Sequence, residues 1–249
     1  MTQPCVLEET EDYAVVYKPA RMHCAPLVNK TEGTLQEWFA AQCSVQGVEL
    51  MHRLDFETRG LVLFSKNTKS FDFFKDLQDK GEFIKEYSAI CNEPAPESPP
   101  PEGYPPPPPI TCYLLTPTFS LPANLESYFR PFGPGRKLVR PVVEIGKKHK
   151  EIAKDKGGFY RTEITGINGN VFTVRLRRGF RHQIRCHLCW AGRPILNDPL
   201  YPYPLEEAPA EGLALCAHGL FFADPSSGKP IKCGIEPLTL IESSNFSIF

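Results

Sequence analysis

A chain of 249 residues, 41% apolar and 23% charged, is long enough to bury a sizeable core and too evenly mixed for a fibrous or disordered protein. It has no apolar run near the roughly 20 residues of a bilayer span and no signal peptide in its first twelve residues; its nine cysteines, an odd number, argue against a complete disulfide framework and for a reducing cytoplasm. The net charge of −1 hides an uneven distribution, because residues 130–156 hold nine Lys/Arg against three acids and residues 175–193 hold six arginines and no acid, the footprint a polyanion requires.

In chain order, YAVVY (13–17), closed by Lys18-Pro19, reads as a short strand and a turn. TLQEWFAAQC (34–43) has helical spacing at Leu35, Trp38 and Phe39, and GLVLFSK (60–66) is a short buried-strand run. Asn67-Thr68 offers a cap to a helix striped by Phe71, Phe74 and Leu77. FIKEYSAIC (83–91) alternates like a strand. Residues 94–109 contain ten prolines, which deny a sheet its donors, so polyproline II or disorder in a surface loop is expected there.

ITCYLLT (110–116) suggests another strand, and the basic segment 130–156 reads as an insertion. FYRTEITGI and VFTVRLRR flank Asn168-Gly169-Asn170, a hairpin signal. HQIRCHLCWAG (182–192) is helical and ends on Gly192, a suitable residue just past a helix C-terminus. LALCAHGLFFADP and PIKCGIEPL then pair across DPSSGKP. Strands outnumber helices and hairpins recur, so the expected class is α+β, with a largely antiparallel mixed sheet and flanking helices.

Three constellations carry chemistry. In MHRLDFETRG (51–60), Asp55 and Glu57 would face the same way on an extended segment, the bare requirement of a glycosidase-like pair, although Asp-x-Glu is common by chance. Cys186, His187 and Cys189, with Cys216 and His218, have zinc-ligand chemistry. They lack a matching second Cys-x-x-Cys, and on a helix Cys186 and Cys189 share a face as small core residues do.

The third joins distant segments: His52-Arg53-Leu54-Asp55; Gly60-Leu61-Val62-Leu63-Phe64; Lys85-x-Tyr87-x-Ala89; His182-Gln183-Ile184-Arg185-x-His187-Leu188; and Gly192-x-Pro194-Ile195-x-x-Asp198-x-x-Tyr201. With Lys18-Pro19-Ala20 at the front and LCAHGLFFADPSSGKPI (215–231) at the end, this ordered set resembles the RluA/RsuA superfamily of RNA pseudouridine synthases, and its RluA branch most, over roughly residues 13–233.

The resemblance implies a pseudouridine synthase catalytic fold with a central active-site cleft, in one catalytic domain spanning 1–249. The catalytic domain is expected to start at its first strand, without the small S4 RNA-binding domain of many relatives. The implied reaction isomerises uridine to pseudouridine in structured RNA, ribosomal or transfer, with no cofactor and no metal.

Asp55 would be the nucleophile, attacking C1′ or C6. Arg185 would keep it ionised. Tyr87 would stack on the flipped uracil, its hydroxyl assisting loss of the C5 proton, and Arg53 would fill the space the base vacates. Arg136, Lys137 and Arg140 in one basic stretch, and Arg181 and His182 in the other, would hold RNA phosphates. RNA is the expected partner, with no membrane and no obligatory protein partner, and the chain is expected to be a monomer.

This sequence departs from the family pattern at several points. Arg21 and Asn197 stand where glycine is usual, Arg59 replaces a small hydroxyl residue, Phe180-Arg181 replaces Arg-Thr, and Cys216 replaces histidine. Two rival functions follow from the residues. An RNA-binding module without catalysis would dispense with Asp55; a glycoside hydrolase would need Glu57 as much as Asp55.

Overall fold

The computed structural model of the chain describes residues 1–26, 33–43, 47–93, 101–108, 121–143, 159–201 and 211–239. The strand expected at 110–116 and the lysines at 147–156 lie outside the described residues. The chain divides into two compact units, Met1–Tyr87 with Leu215–Pro237, and Ser88–Ala214 with Leu238–Phe249.

In the first unit, β1 (Cys5–Glu9), β2 (Tyr13–Lys18), β4 (Arg59–Ser65) and β10 (Leu215–Ala223) lie side by side, with β3 (Glu49–Leu50) beside β4 and β11 (Pro230–Gly234) beside β10. β2 and β4 pair antiparallel from Tyr13↔Ser65 to Lys18↔Gly60. β4 meets β10 in parallel at Cys216↔Arg59 and Ala217↔Gly60. Gly60 has φ +127°, and a Cβ there would collide with the Ala217 backbone, so only glycine lets these strands approach.

Helix α1 (Leu35–Gln42) starts in a capping box between Thr34 and Glu37. Helix α2 (Thr68–Lys80) is capped by Asn67, which accepts from the Ser70 N–H at 2.8 Å, and stops at left-handed Gly81. Phe74 and Leu77 of α2 enter a core with Tyr13, Leu61, Leu63, Phe83 and Phe222. β5 (Ile84–Ile90) contributes Ile84–Tyr87 to this unit. The strands and helices expected from 13–17, 34–43, 60–66, 67–77 and 83–91 are all present.

The second unit is built on antiparallel strands in the order β9 (Val171–Leu176), β8 (Tyr160–Asn168), β6 (Ala123–Phe132), β7 (Leu138–Val142). β8 and β9 form the hairpin expected at Asn168-Gly169-Asn170. Helix α3 (Gln183–Trp190) packs against β7 and β8. It ends in a Schellman motif, with Gly192 N–H on the Cys189 carbonyl (3.0 Å) and Arg193 N–H on that of Leu188 (2.8 Å).

The described part of the basic segment, 130–143, forms the end of β6, a tight turn and strand β7, which lies at the edge of the described sheet. Pro141 is tolerated because an edge strand has one unpaired side. Residues 101–108 of the proline-rich stretch are docked rather than loose. Tyr104 joins a core with Phe129, Tyr160 and Tyr201, and donates to the Val139 carbonyl at 3.1 Å. The Trp190 indole donates to the Pro106 carbonyl at 2.9 Å. Proline lacks an N–H but keeps its acceptor, so such a segment can still be anchored through carbonyls. No described helix is long and apolar enough to cross a membrane.

Candidate active site

Asp55 is not mounted on a strand. β4 begins at Arg59, and Asp55 lies ahead of it in a turn closed by the Thr58 N–H donating to the Asp55 carbonyl at 3.1 Å. What fixes this loop is the segment following β2. Lys18 is fully buried, and its ammonium donates to the carbonyls of Pro19 (2.9 Å), Met22 (2.8 Å) and Phe56 (3.3 Å), three donors on three acceptors. The Arg21 N–H also donates to the Phe56 carbonyl, at 2.8 Å. On the other flank, the Leu54 N–H donates to Cys24 Sγ at 3.2 Å, and that thiol faces the Leu54 carbonyl at 3.4 Å. Asp55 is thus tied through both neighbours to residues 18–24.

Burial pulls Lys18 down to about 8, while the charges of Cys24, Asp55 and Glu57 pull it back up. Below that pH it is an ammonium whose charge is felt at Asp55. Glu57 is half-buried and sits 3.6 Å from the Arg21 guanidinium. Arg21 holds φ +61°, where a glycine would be unstrained. Arg53 is exposed, and its charge reaches the Cys24 thiol.

Tyr87 on β5 is 5% exposed. Burial raises its phenol far above the usual value, and the Asp55 carboxylate and the thiols of Cys24 and Cys216 raise it further. Asp55 and Tyr87 therefore share one electrostatic neighbourhood, and the phenol keeps its proton across the physiological range. Lys85, two residues earlier, is buried, pulled down to about 8 by burial, and lies 4.9 Å from the Phe83 ring centroid. His52 is held neutral by burial and accepts from the Leu63 N–H at 3.2 Å, fastening the head of the His-Arg-Leu-Asp motif to β4.

In the second unit the His-Gln-Ile-Arg motif opens α3. His182 takes φ +56° at the N-cap, and its Nδ1 lies 3.3 Å from the Tyr201 hydroxyl. Gln183 donates to the Arg161 carbonyl (2.9 Å) and to Thr162 Oγ1 (3.1 Å), fixing the helix start on β8. Arg185 makes a buried fork on Asp198, with Nε on Oδ2 at 2.9 Å and Nη2 on Oδ1 at 2.7 Å. Asp198 Oδ1 also accepts from the N–H groups of Leu200 and Tyr201.

His187 bridges Ser127 (2.9 Å) and Thr162 (2.8 Å), and burial pulls it down to about 3, so it is a neutral structural group. Cys186 and Cys189 are core residues beside it.

Arg181 donates through Nη2 to the carbonyls of Arg136 (2.9 Å) and Leu138 (3.1 Å). It therefore holds the β6–β7 turn, on which Arg136 and Lys137 are exposed. Arg140 lies over the Phe132 ring, donates to the Gly103 carbonyl and faces Arg130 across the strands. Phe180 is half-buried and stacks on Phe129, with ring centroids 5.2 Å apart.

Lys18, Cys24 and Asp198 are the positions that motif reading undervalued. Lys18 and Asp198 lay in recognised pieces of sequence and Cys24 in none, and the partners of all three are backbone groups and an arginine that spacing cannot reveal.

A mixed fold carrying one clamped carboxylate beside a buried phenol fits an isomerase of nucleosides, and comparison with known proteins gives the family. The profile of the RNA pseudouridylate synthases matches residues 12–190. An uncharacterized RNA pseudouridine synthase of Mycoplasma genitalium is 25% identical over 98% of this chain and 71% of its own length. Another, from Aquifex aeolicus, is 26% identical over 93% of this chain and 68% of its own length, so the chain spans about two thirds of these relatives. The dual-specificity RNA pseudouridine synthase RluA of Yersinia pestis is 31% identical over 41% of this chain and 48% of its own length. The solved structure of human RNA pseudouridylate synthase domain containing 1 has the same fold, with a TM-score of 0.62 at 17% identity over 94% of this chain and 84% of that one. The chain belongs to the RNA pseudouridine synthase family, in its RluA-like branch.

Proposed function

We propose that this chain isomerises a uridine in structured RNA, ribosomal or transfer, acting as a single catalytic domain with Asp55 as nucleophile. The observation that carries the reading is the Asp55 loop, which holds one carboxylate tied on both flanks and felt by the buried Tyr87 phenol.

Attack at C1′ or at C6 serves the same net change. The N1–C1′ bond breaks, uracil turns, C5–C1′ forms, the C5 proton leaves and N1 gains one. Atoms and electrons balance without a cofactor. The target base must leave its stack, and we give Tyr87 the task of stacking against it. The Tyr87 hydroxyl is assigned to assist loss of the C5 proton.

Arg185 is assigned as charge partner to the reacting carboxylate, oriented by Asp198. Arg53 is assigned to the space left by the base. Arg136 and Lys137, on the turn that Arg181 holds, are assigned to phosphates, with Arg140 and His182 beside those segments. We take the protein to act as a cytoplasmic monomer; the eight described cysteines are free thiols, in keeping with a reducing compartment.

The test is tritium release from C5-labelled total RNA of cells lacking this protein. Wild type should release the label. Asp55→Asn should lose release by on the order of a thousandfold or more, as nucleophile removal does elsewhere, and Glu57→Gln should turn over close to normally. Binding without release from any RNA would instead favour a non-catalytic module. Equal loss in both variants would favour a carboxylate pair.

A further inference from the structure

Helix α3 covers one face of the second unit's sheet, where Ser127 and Thr162 meet His187. The opposite face carries a different set of side chains. By strand alternation, Glu126, Tyr128 and Arg130 of β6 share it with Arg161 and Glu163 of β8 and Arg175 of β9, in the registers Glu126↔Arg161 and Glu163↔Arg175.

A cleft of about 400 Å³ lies here, lined by Arg161, Arg175, Arg177, Arg178 and Phe159 together with the two glutamates. Four guanidiniums thus face two carboxylates. One glutamate is already engaged, with Arg161 Nε 2.5 Å from Glu126 in a pair whose side chains are 63% and 39% exposed.

Two aromatic rings complete the surface. Phe159 is 48% exposed, although phenylalanine is usually buried, and its ring centroid lies 4.5 Å from that of Tyr128. Arg177 and Arg178 are exposed at the end of β9, with the Arg178 guanidinium 4.4 Å from the Tyr160 ring. An exposed Phe159 and a half-buried Tyr128 interleaved with arginines on an antiparallel sheet suit unpaired nucleic acid, because every base has a face to stack and every nucleotide a phosphate to hold. An acidic protein segment would use the arginines but would have little use for the rings.

We infer that this sheet face docks an unpaired stretch of RNA, with bases on Phe159 and Tyr128 and phosphates on Arg177 and Arg178. It adds a second contact to the substrate, and as a substrate contact it rests on the RNA reading above. A short labelled oligouridylate, titrated into the full chain across a salt series and followed by anisotropy, tests the face.

Phe159→Ala should weaken binding about tenfold. Arg177→Glu with Arg178→Glu should weaken it further and make the salt slope shallower by about 1.4, or 0.7 for each lost phosphate contact. Arg177→Lys with Arg178→Lys should restore the slope, which excludes a folding defect at that site. Unchanged affinity and slope in the charge-reversed protein would overturn the inference. So would loss of polyglutamate binding with oligouridylate binding retained. Tritium release on the same preparations separates the two ideas: wild type that binds the oligomer but releases nothing sinks the synthase reading alone, and wild type that releases label while every variant binds normally sinks this face alone.

Discussion

The Asp55 loop and the β6–β7 turn are both short, irregular and rich in polar groups, yet they are held in opposite ways. The Asp55 loop is held from below: a buried ammonium and a buried thiol reach its backbone. The β6–β7 turn is held from its side by one arginine, Arg181, and leaves Arg136 and Lys137 in solvent. Chemistry at a fixed atom needs a loop with little freedom. Phosphate contacts tolerate side-chain movement, because charge acts over distance.

The largest effect that would break this comparison lies at the buried fork. Asp198→Asn leaves Arg185 as a poorly compensated buried cation and should destabilise by about 3–5 kcal/mol in chemical denaturation, with turnover falling in proportion to the loss of Arg185 orientation. Next is Lys18→Met, which abandons three carbonyls and should destabilise by about 2–3 kcal/mol while nearly abolishing tritium release. If Lys18→Met turned over normally, the anchored-loop account would fail.

The same lysine gives a pH test with two opposed signs. Its folded value is lowered to about 8 from 10.5, so between these values the unfolded chain binds more protons. The stability cost of burying the charge is present below about 8 and is relieved as pH rises through that window. Lys85, also lowered to about 8, adds the same trend. Turnover should instead fall as pH passes 8, because a neutral amine has two donors for three carbonyls. Denaturation and tritium release of the wild type at pH 7 and pH 9 should diverge, and in Lys18→Met the rise of stability with pH should shrink to the part that Lys85 contributes.

A smaller effect is expected at the exposed turn. Arg136→Ala with Lys137→Ala should weaken RNA binding in low salt, with a salt slope shallower by about 1.4 and no change in melting temperature. The smallest concerns the left-handed residues. Arg21 (φ +61°) and Asn197 (φ +59°) each carry a side chain where backbone sterics favour glycine. Arg21→Gly should stabilise by about 1 kcal/mol less the weak Glu57 pair, and Asn197→Gly by less, since asparagine tolerates this conformation.

Much of this architecture was legible in the sequence. Local signals sufficed for α1, α2, β4, β5, the β8–β9 hairpin and α3, because caps, turn residues and apolar spacing act within a few residues. β6 and β7 escaped because Pro131, Pro134 and Pro141 and a row of basic residues mask an alternation that runs cleanly through Ala123, Leu125, Ser127 and Phe129. The docked prolines escaped because their anchors, Val139 and Trp190, lie far along the chain. The motif of Asp55 was readable, but its mounting was not. A strand run beginning at Gly60 invites a strand-borne aspartate, and only the carbonyl contacts of Lys18 show a clamped turn instead.

The parallel junction between Gly60 and Ala217 also has a consequence in time. The strand that receives Gly60 is made about 155 residues after it, which at about 5–20 residues per second is roughly 8–30 s of synthesis. Until β10 emerges, the nascent chain holds the Asp55 loop, Lys18 and β4 without the neighbour that fixes the start of β4. The Asp55 loop therefore reaches its final setting only after β10 has been made, long after its own residues have left the ribosome.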